Sequence, residues 1–289
     1  MARRESEFEM RSVGEALECV LRESRTWIQT QAKTETVAVH EALGRVVSEE
    51  VTSPCDIPAF PASMKDGYCL ALPDPLPPAP HRFQVADTIL AGQNIQALRP
   101  LQPNTQVYKI MTGAPVPPSC NAVIMVENTT LETVGETNQE EFIRVEGLEK
   151  LSPGTDIRAV GSDCATGTII LDRGEVIGPA EMGLLASCGI YSVQVYASPR
   201  VGVLSTGDEV RDPSASGEPL QPGHIFDANR PILRGLLQSF DPSLALVDLG
   251  IAEDNLGALS KRMDQALEQV DVLITSGGVS MGEVDLVKQ

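Results

Sequence analysis

Two short strings bring hydroxyls, glycines and carboxylates together in a way that suits an anionic ligand. In Ser205-Thr206-Gly207-Asp208-Glu209 the glycine lets the backbone approach a ligand closely, and the carboxylates of Asp208 and Glu209 suit a hydrated magnesium ion. In Thr275-Ser276-Gly277-Gly278-Val279-Ser280-Met281-Gly282, with Asp285 three residues beyond, backbone N–H groups at a glycine-rich strand-to-helix junction can cradle a phosphate. The hydroxyls of Ser276 and Ser280 add donors there. This second string has neither the Gly-Lys-Ser/Thr ending of a Walker loop nor Gly-x-Gly-x-x-Gly spacing, so neither usual nucleotide assignment fits. Each string also has a plainer reading, an ordinary strand-to-loop turn for the first and tight helix-on-strand packing for the second.

Other polar residues read first as structural. Asp254, just before a helical stripe that starts at Leu256, reads as a helix N-cap in preference to a metal ligand. In Asp227-Ala228-Asn229-Arg230-Pro231, Asn229 reads as the cap of a helix opened by Pro231, and Arg230 as an exposed arginine in preference to a phosphate ligand. Asp66-Gly67 and Thr112-Gly113-Ala114-Pro115 are turn sequences. His40, His81 and His224 lie in unrelated contexts, which disfavours Ser/His hydrolysis. The cysteines at 19, 55, 69, 120, 164 and 188 form no Cys-x-x-Cys pair and have no histidine at metal spacing. Reduced, mostly buried thiols are expected, without disulfides or structural zinc.

The elements that must position these residues follow from periodicity. Ser12 and Glu15 make a capping box for a helix over 12–29, and short strands are expected near 37–39 and 46–51. The chain is then irregular to Tyr68, and five prolines within 73–80 predict a stiff exposed loop. Between about 83 and 175, β-type runs at 107–111, 122–126, 142–145 and 168–171 are broken by Gly, Pro and Asn, the pattern of a small antiparallel barrel or sandwich. Residues 131–150 carry six glutamates against two basic residues and read as a solvated hairpin or loop. Pro179 and Gly189 bound a short helix over 179–188. Strands at 201–204, 244–249 and 272–275 then alternate with helical stripes at 232–240 and 256–270. That βαβαβ order predicts a parallel, doubly wound sheet whose ligands bind beyond the carboxyl ends of the strands, where both chemical strings sit. The sequence ends eleven residues after Gly278, so the α/β unit is expected to be incomplete.

Composition sets the outer limits. With 289 residues, 42% hydrophobic and 21% charged, two or three domains are expected. Lysine and arginine number 22 against 40 acidic residues, a net charge of −18, which argues against a nucleic-acid partner. Apolar runs such as Val270–Ile274 fall far short of the roughly 20 residues of a membrane span, and the charged N-terminus lacks a signal peptide's design. A cytoplasmic protein is expected.

Six strings in order resemble one family. They are Glu41-Ala42-Leu43-Gly44-Arg45-Val46, Pro61-Ala62-Ser63-Met64-Lys65-Asp66-Gly67-Tyr68, Met111-Thr112-Gly113-Ala114-Pro115, Ser205-Thr206-Gly207-Asp208-Glu209, Asp227-Ala228-Asn229-Arg230, and Thr275 through Asp285. Together they resemble the molybdopterin molybdotransferases: the bacterial MoeA proteins, their plant counterpart and the gephyrin E domain, with the wording at 61–68 and 276–283 nearest to gephyrin.

The resemblance implies an elongated multidomain chain of class α/β plus β. Residues 1–60 and 160–195 would form an N-terminal helix and elongated β linker subdomain, 61–159 a small β-barrel-like subdomain, and 196–289 an incomplete MogA-like doubly wound α/β subdomain. It implies the insertion of molybdate into adenylylated molybdopterin with release of AMP, assisted by Mg2+. By motif, it places functional roles at Asp66, Thr112, Asp163, Glu209, Asp254 and Asp285, ligand contacts at Ser205, Thr206, Gly207, Ser276, Gly277, Gly278 and Ser280, and metal ligation at Asp208, Glu209 and Asp285. It further implies a homodimer in which Asp66 and Thr112 complete the cleft of the partner chain, and a molybdopterin adenylyltransferase domain as partner.

Cys69 stands where many relatives have alanine, and Ser162 where Glu or His is frequent. Family members continue through a Lys-Pro-Gly segment, the rest of the α/β subdomain and a C-terminal β-barrel, so a truncated form is expected. The alternatives are a gephyrin-like scaffold that clusters receptors through their loops, and a catalytically inactive truncated isoform acting through dimerisation.

Overall fold

The computed structural model describes residues 9–134, 140–213, 219–242, 244–278 and 287. The chain divides into two compact units, Thr36–Val195, and Met1–Glu35 with Tyr196–Gln289. Helix α1 (Val13–Thr30) starts as its capping box dictates: Ser12 N–H donates to Glu15 Oε2 at 2.7 Å, and Glu15 N–H donates to Ser12 Oγ at 3.3 Å. None of its residues is buried, and Val13, Leu17, Val20, Leu21 and Ile28 form an exposed apolar stripe.

Between residues 34 and 196 the elements are β1 (Thr34–Ala38), β2 (Val51–Thr52), β3 (Ala62–Ser63), β4 (Gly67–Leu70), β5 (His81–Ile89), β6 (Gln106–Ile110), β7 (Ala122–Met125), β8 (Thr129–Val134), β9 (Glu140–Val145), β10 (Ile157–Arg158), β11 (Ile169–Leu171), α2 (Pro179–Ser187) and β12 (Ser192–Tyr196). Six of these strands form one sheet in the order β7-β4-β6-β5-β9-β8. A wholly antiparallel arrangement is corrected at one place, because β5 and β6 run parallel. The long connection 90–105 permits this, since parallel neighbours need a crossover that a tight turn cannot supply. Side chains alternate between two buried faces, Tyr68, Leu70, Val107 and Ile124 on one, Cys69, Tyr108, Ile110 and Val123 on the other. Within the acidic stretch, β8 and β9 pair antiparallel. A separate core gathers Val39, Val47, Leu171, Ile177, Leu185 and Val195 around α2, which opens on Pro179 and is followed by Gly189 at φ +72°.

In the second unit β13 (Arg200–Thr206), β14 (Val210–Arg211), β15 (Ile225–Phe226), α3 (Asn229–Phe240), β16 (Ala245–Ala252), α4 (Leu256–Leu267) and β17 (Val272–Ser276) follow in order. The sheet order is β16-β13-β17 with both pairings parallel, as the alternating pattern predicts. Central β13 is buried from Val201 to Thr206, and Leu204, Leu249, Ala252, Leu259 and Ala266 form the core.

Three local assignments are corrected. Asn255, not Asp254, caps α4, its side chain accepting the Ala258 N–H at 3.0 Å. Asn229 makes no cap either, being already the first residue of α3; Asp227 Oδ1 accepts the Arg230 N–H at 3.1 Å in its place. Arg230 is not exposed. It retains 5% of its accessible surface, ion-paired with Asp227 (3.3 Å), Asp248 (2.9 Å) and Asp212.

Candidate functional site

The carboxyl ends of the parallel strands assemble the first group of residues. β13 delivers Ser205 and Thr206, both buried, and its neighbour β17 delivers Ser276 directly opposite Ser205. The Thr206 hydroxyl donates to the Ser276 carbonyl at 3.3 Å, and the Gly207 N–H donates to the Ala252 carbonyl at 3.1 Å, tying all three strand ends together. The Ser205 hydroxyl, at 2% exposure, has no hydrogen-bond partner among the described residues.

Beyond the strands, Asp208 and Asp254 clasp one another. The Asp254 N–H donates to Asp208 Oδ1 at 3.0 Å, and the Asp208 N–H donates to Asp254 Oδ2 at 3.4 Å. The Asp208 carbonyl also accepts from Arg211 Nη1 at 2.8 Å. Glu209 is exposed, its carboxylate folded back over Gly207. Gly277, at φ +95°, packs bare backbone on Thr206: a Cβ there would meet Thr206 Oγ1 at 2.8 Å and its carbonyl oxygen at 3.1 Å. Gly278 at φ +70° follows in the same left-handed region. Ser280 and Asp285 lie outside the described residues.

The second group belongs to the other unit, where two of the sequence strings fold directly on each other. The Ser63 N–H donates to the Ala114 carbonyl at 2.9 Å and the Gly113 N–H to the Ser63 carbonyl at 2.8 Å. Asp66 Oδ1 then accepts both the backbone N–H and the hydroxyl of Thr112, at 2.7 and 2.9 Å. These two donors, the backbone one foremost, hold the Asp66 carboxyl below the usual carboxylate range. Sequence reasoning missed a twin of this arrangement: Asp56 Oδ1 accepts the N–H and hydroxyl of Thr166 at 2.8 and 3.0 Å. A threonine far along the chain leaves no local signal for either pairing. Asp163 is held in a forked ion pair with Arg158, whose Nε donates to Oδ1 at 3.0 Å.

The structure thus brings Ser205, Thr206, Gly207, Asp208, Asp254, Ser276, Gly277 and Gly278 to one sheet edge, and joins Asp66 to Thr112. It gives Asp163 an arginine partner in place of either group. Among the described residues no cluster of three His, Cys, Asp or Glu side chains is placed to hold a metal ion.

Residues 11–189 match the profile of the MoeA N-terminal region (domain I and II). The chain belongs to the MoeA family. Residues 202–289 match a second profile, "Probable molybdopterin binding domain", which covers the sheet edge just described. The gephyrin of Dictyostelium discoideum is 34% identical over 306 residues, covering 99% of this chain and 40% of the relative. The molybdopterin molybdenumtransferase of Haemophilus influenzae is 37% identical over 259 residues, 89% of this chain and 59% of the relative. The chain therefore spans about half the length of the curated relatives it matches. Among solved structures, a molybdopterin biosynthesis MoeA protein from Pyrococcus horikoshii superposes with a TM-score of 0.72 at 27% identity, covering 96% of this chain and 66% of that one.

Proposed function

We propose that this MoeA-family chain binds adenylylated molybdopterin at the carboxyl edge of its parallel sheet and takes part in molybdate insertion with release of AMP. The observation that carries this reading is the Asp208–Asp254 clasp beside the bare backbone of Gly277, within the segment matched to the molybdopterin binding profile. A pterin-linked phosphoanhydride needs backbone donors that approach closely and acids that keep their orientation; the glycines and the clasp supply these. The Ser205 hydroxyl is a further donor without a protein partner among the described residues, aligned with Ser276 across the strand pair.

Magnesium prefers hard oxygen ligands; Asp208 and Glu209, with Asp285 from outside the described residues, would hold it, and a bound Mg2+ would neutralise phosphate charge in a chain of net charge −18. The chain's own part is to fix the direction of those carboxylates. Asp208 and Asp254 each have one oxygen committed to a backbone N–H, so the other oxygen keeps a defined position.

Titration of adenylylated molybdopterin into the chain, with and without Mg2+, tests the reading. Magnesium-dependent heat that disappears in Glu209→Ala supports it; no binding in any condition overturns it for this chain. AMP release on adding molybdate, set against a full-length relative, reports whether binding leads to turnover.

Two further parts of the reading concern partners. Copies of the chain associate as a homodimer, supported by the exposed stripes Val13, Leu17 and Val20 on α1 and Ile232, Leu236 and Phe240 on α3, faces that water disfavours. Light scattering that finds only monomers would remove this part. A molybdopterin adenylyltransferase supplies the adenylylated substrate. No described helix is long and apolar enough to cross a membrane. A cytoplasmic location belongs to the same proposal.

A further inference from the structure

The connection from β4 to β5 carries prolines at 73, 75, 77, 78 and 80 and belongs to neither group of candidate site residues. Its two ends are fastened. Leu72 packs against the core around Tyr68, its N–H donates to Asn121 Oδ1 at 2.8 Å, and Pro73 is buried. At the other end His81 is buried and pairs with Val145 at the start of β5. Between these anchors every residue from Asp74 to Pro80 is exposed, Leu76 included at 40%. Residues 74–79 make no hydrogen bond to any other described residue.

The prolines leave this segment little conformational freedom. A proline fixes its own φ and drives the residue before it into the extended region, so Leu76 is held in ψ, Pro78 in φ and Pro77 in both. These are the dihedrals of a polyproline II helix, whose three-residue turn sets Pro75 and Pro78 on one edge and leaves the carbonyls to solvent. The peptide bonds joining Pro75 through Ala79 are trans, and cis bonds stand outside that stretch, at Asp74–Pro75 and Ala79–Pro80.

We propose that Pro75-Leu76-Pro77-Pro78 is a docking segment for a partner domain of the WW kind, whose groove is lined by aromatic side chains and has a neutral or basic rim. Aromatic walls take up the proline ridges, and the Tyr and Trp donors of such a groove meet the free carbonyls. A segment already extended and anchored at both ends loses little entropy on docking. Charge decides the rim. Asp74 is the one ionisable side chain from 73 to 80, in a chain of net charge −18, so an acidic rim would be repelled. The first cation beyond the segment, Arg82, is already engaged, its Nε donating to Glu132 Oε2 at 2.6 Å and its guanidinium lying 3.9 Å from the centre of the Phe142 ring. Grooves of the SH3 kind that pair their aromatic walls with acids therefore find no free cation here.

The test is NMR titration of the whole chain into a 15N-labelled WW domain that reads leucine–proline tracts, with an acid-rimmed SH3 domain in a parallel arm. The tryptophan indole N–H signal of the WW groove is expected to shift with added chain and to stay unmoved when Pro77→Ala and Pro78→Ala are combined. Both positions are exposed, and urea unfolding checks that the variant is folded. Leu76→Asp, which keeps every proline, is expected to weaken the same shift. The proposal is overturned if the wild-type chain leaves the WW signals unmoved, if the shift persists undiminished in the double variant, or if the SH3 domain alone binds.

Discussion

Asp208 and Asp254 each accept the other's backbone N–H, at 3.0 and 3.4 Å, across the ends of two adjacent parallel strands. One residue pair thereby fixes both strand-end loops and leaves two acids facing the same space. Structural and ligand-binding roles separate by substitution. Asp254→Ala removes an acceptor and a charge, and is expected to cost about 1 kcal/mol of stability in urea unfolding, the usual net worth of such a hydrogen bond. Asp254→Asn keeps an acceptor and loses only the charge, so it is expected to unfold like the wild type while losing magnesium-dependent ligand binding. Equal binding losses with equal destabilisation in both variants would reduce the clasp to a structural strut.

The Asp66–Thr112 pair makes a prediction about protons. The folded carboxyl is held below its ordinary value by the Thr112 donors. A depressed acid contributes its stabilisation in full above the unfolded value of about 3.9 and loses it as pH falls through the folded one, so the effect is confined to the acid side of about pH 4. Carboxyl-carbon NMR should find the Asp66 midpoint below that of an exposed aspartate. Thr112→Ala removes the hydroxyl donor but keeps the backbone N–H, the stronger influence, so the midpoint should rise only part of the way. An ordinary wild-type midpoint would contradict the geometry.

These relationships were unequally legible in the sequence. The βαβαβ segment reads correctly because helix and strand periods alternate there and each element is long enough to show its period. β4 escaped because Gly-Tyr-Cys-Leu is buried on both faces, and a strand buried on both sides shows no alternation. β5 escaped because His81, Arg82, Gln84 and Asp87 mask its apolar residues, although it is nine residues long. Asp254 was read as a cap because it stands near a helix start; the neighbouring Asn255 takes that role and releases Asp254 to Asp208. Arg230 looked exposed because its partners Asp212 and Asp248 lie eighteen residues away on either side, a distance no local pattern reports. The motif strings located the strand-end group, but not the donors that orient it.

Arg230 carries the largest expected stability effect. Its guanidinium is enclosed by Asp212, Asp227 and Asp248, and the Asp227 side chain is only 2% exposed. Removing the cation leaves a buried carboxylate without its partner, a change that costs about 3 kcal/mol or more. Arg230→Met should lower the unfolding free energy measured in urea by that amount, and adding Asp227→Asn should recover part of the loss, since the stranded charge goes with it. A midpoint unchanged in the single variant would show that the enclosure contributes nothing net.

Ser205 predicts the opposite combination. Among the described residues the buried Ser205 hydroxyl has no partner, and a hydroxyl left so is a cost of the order of 1 to 3 kcal/mol when fully desolvated. Such a group persists where something outside the fold satisfies it, and Ser205 sits at the strand end beside Thr206 and Ser276. Ser205→Ala is therefore expected to leave the urea midpoint unchanged or slightly higher while weakening adenylylated molybdopterin by about tenfold, the equivalent of roughly 1.4 kcal/mol for one lost hydrogen bond. Calorimetric titration alongside urea unfolding separates the outcomes. Lower stability with unaltered affinity would mean that the hydroxyl serves the fold and not the ligand.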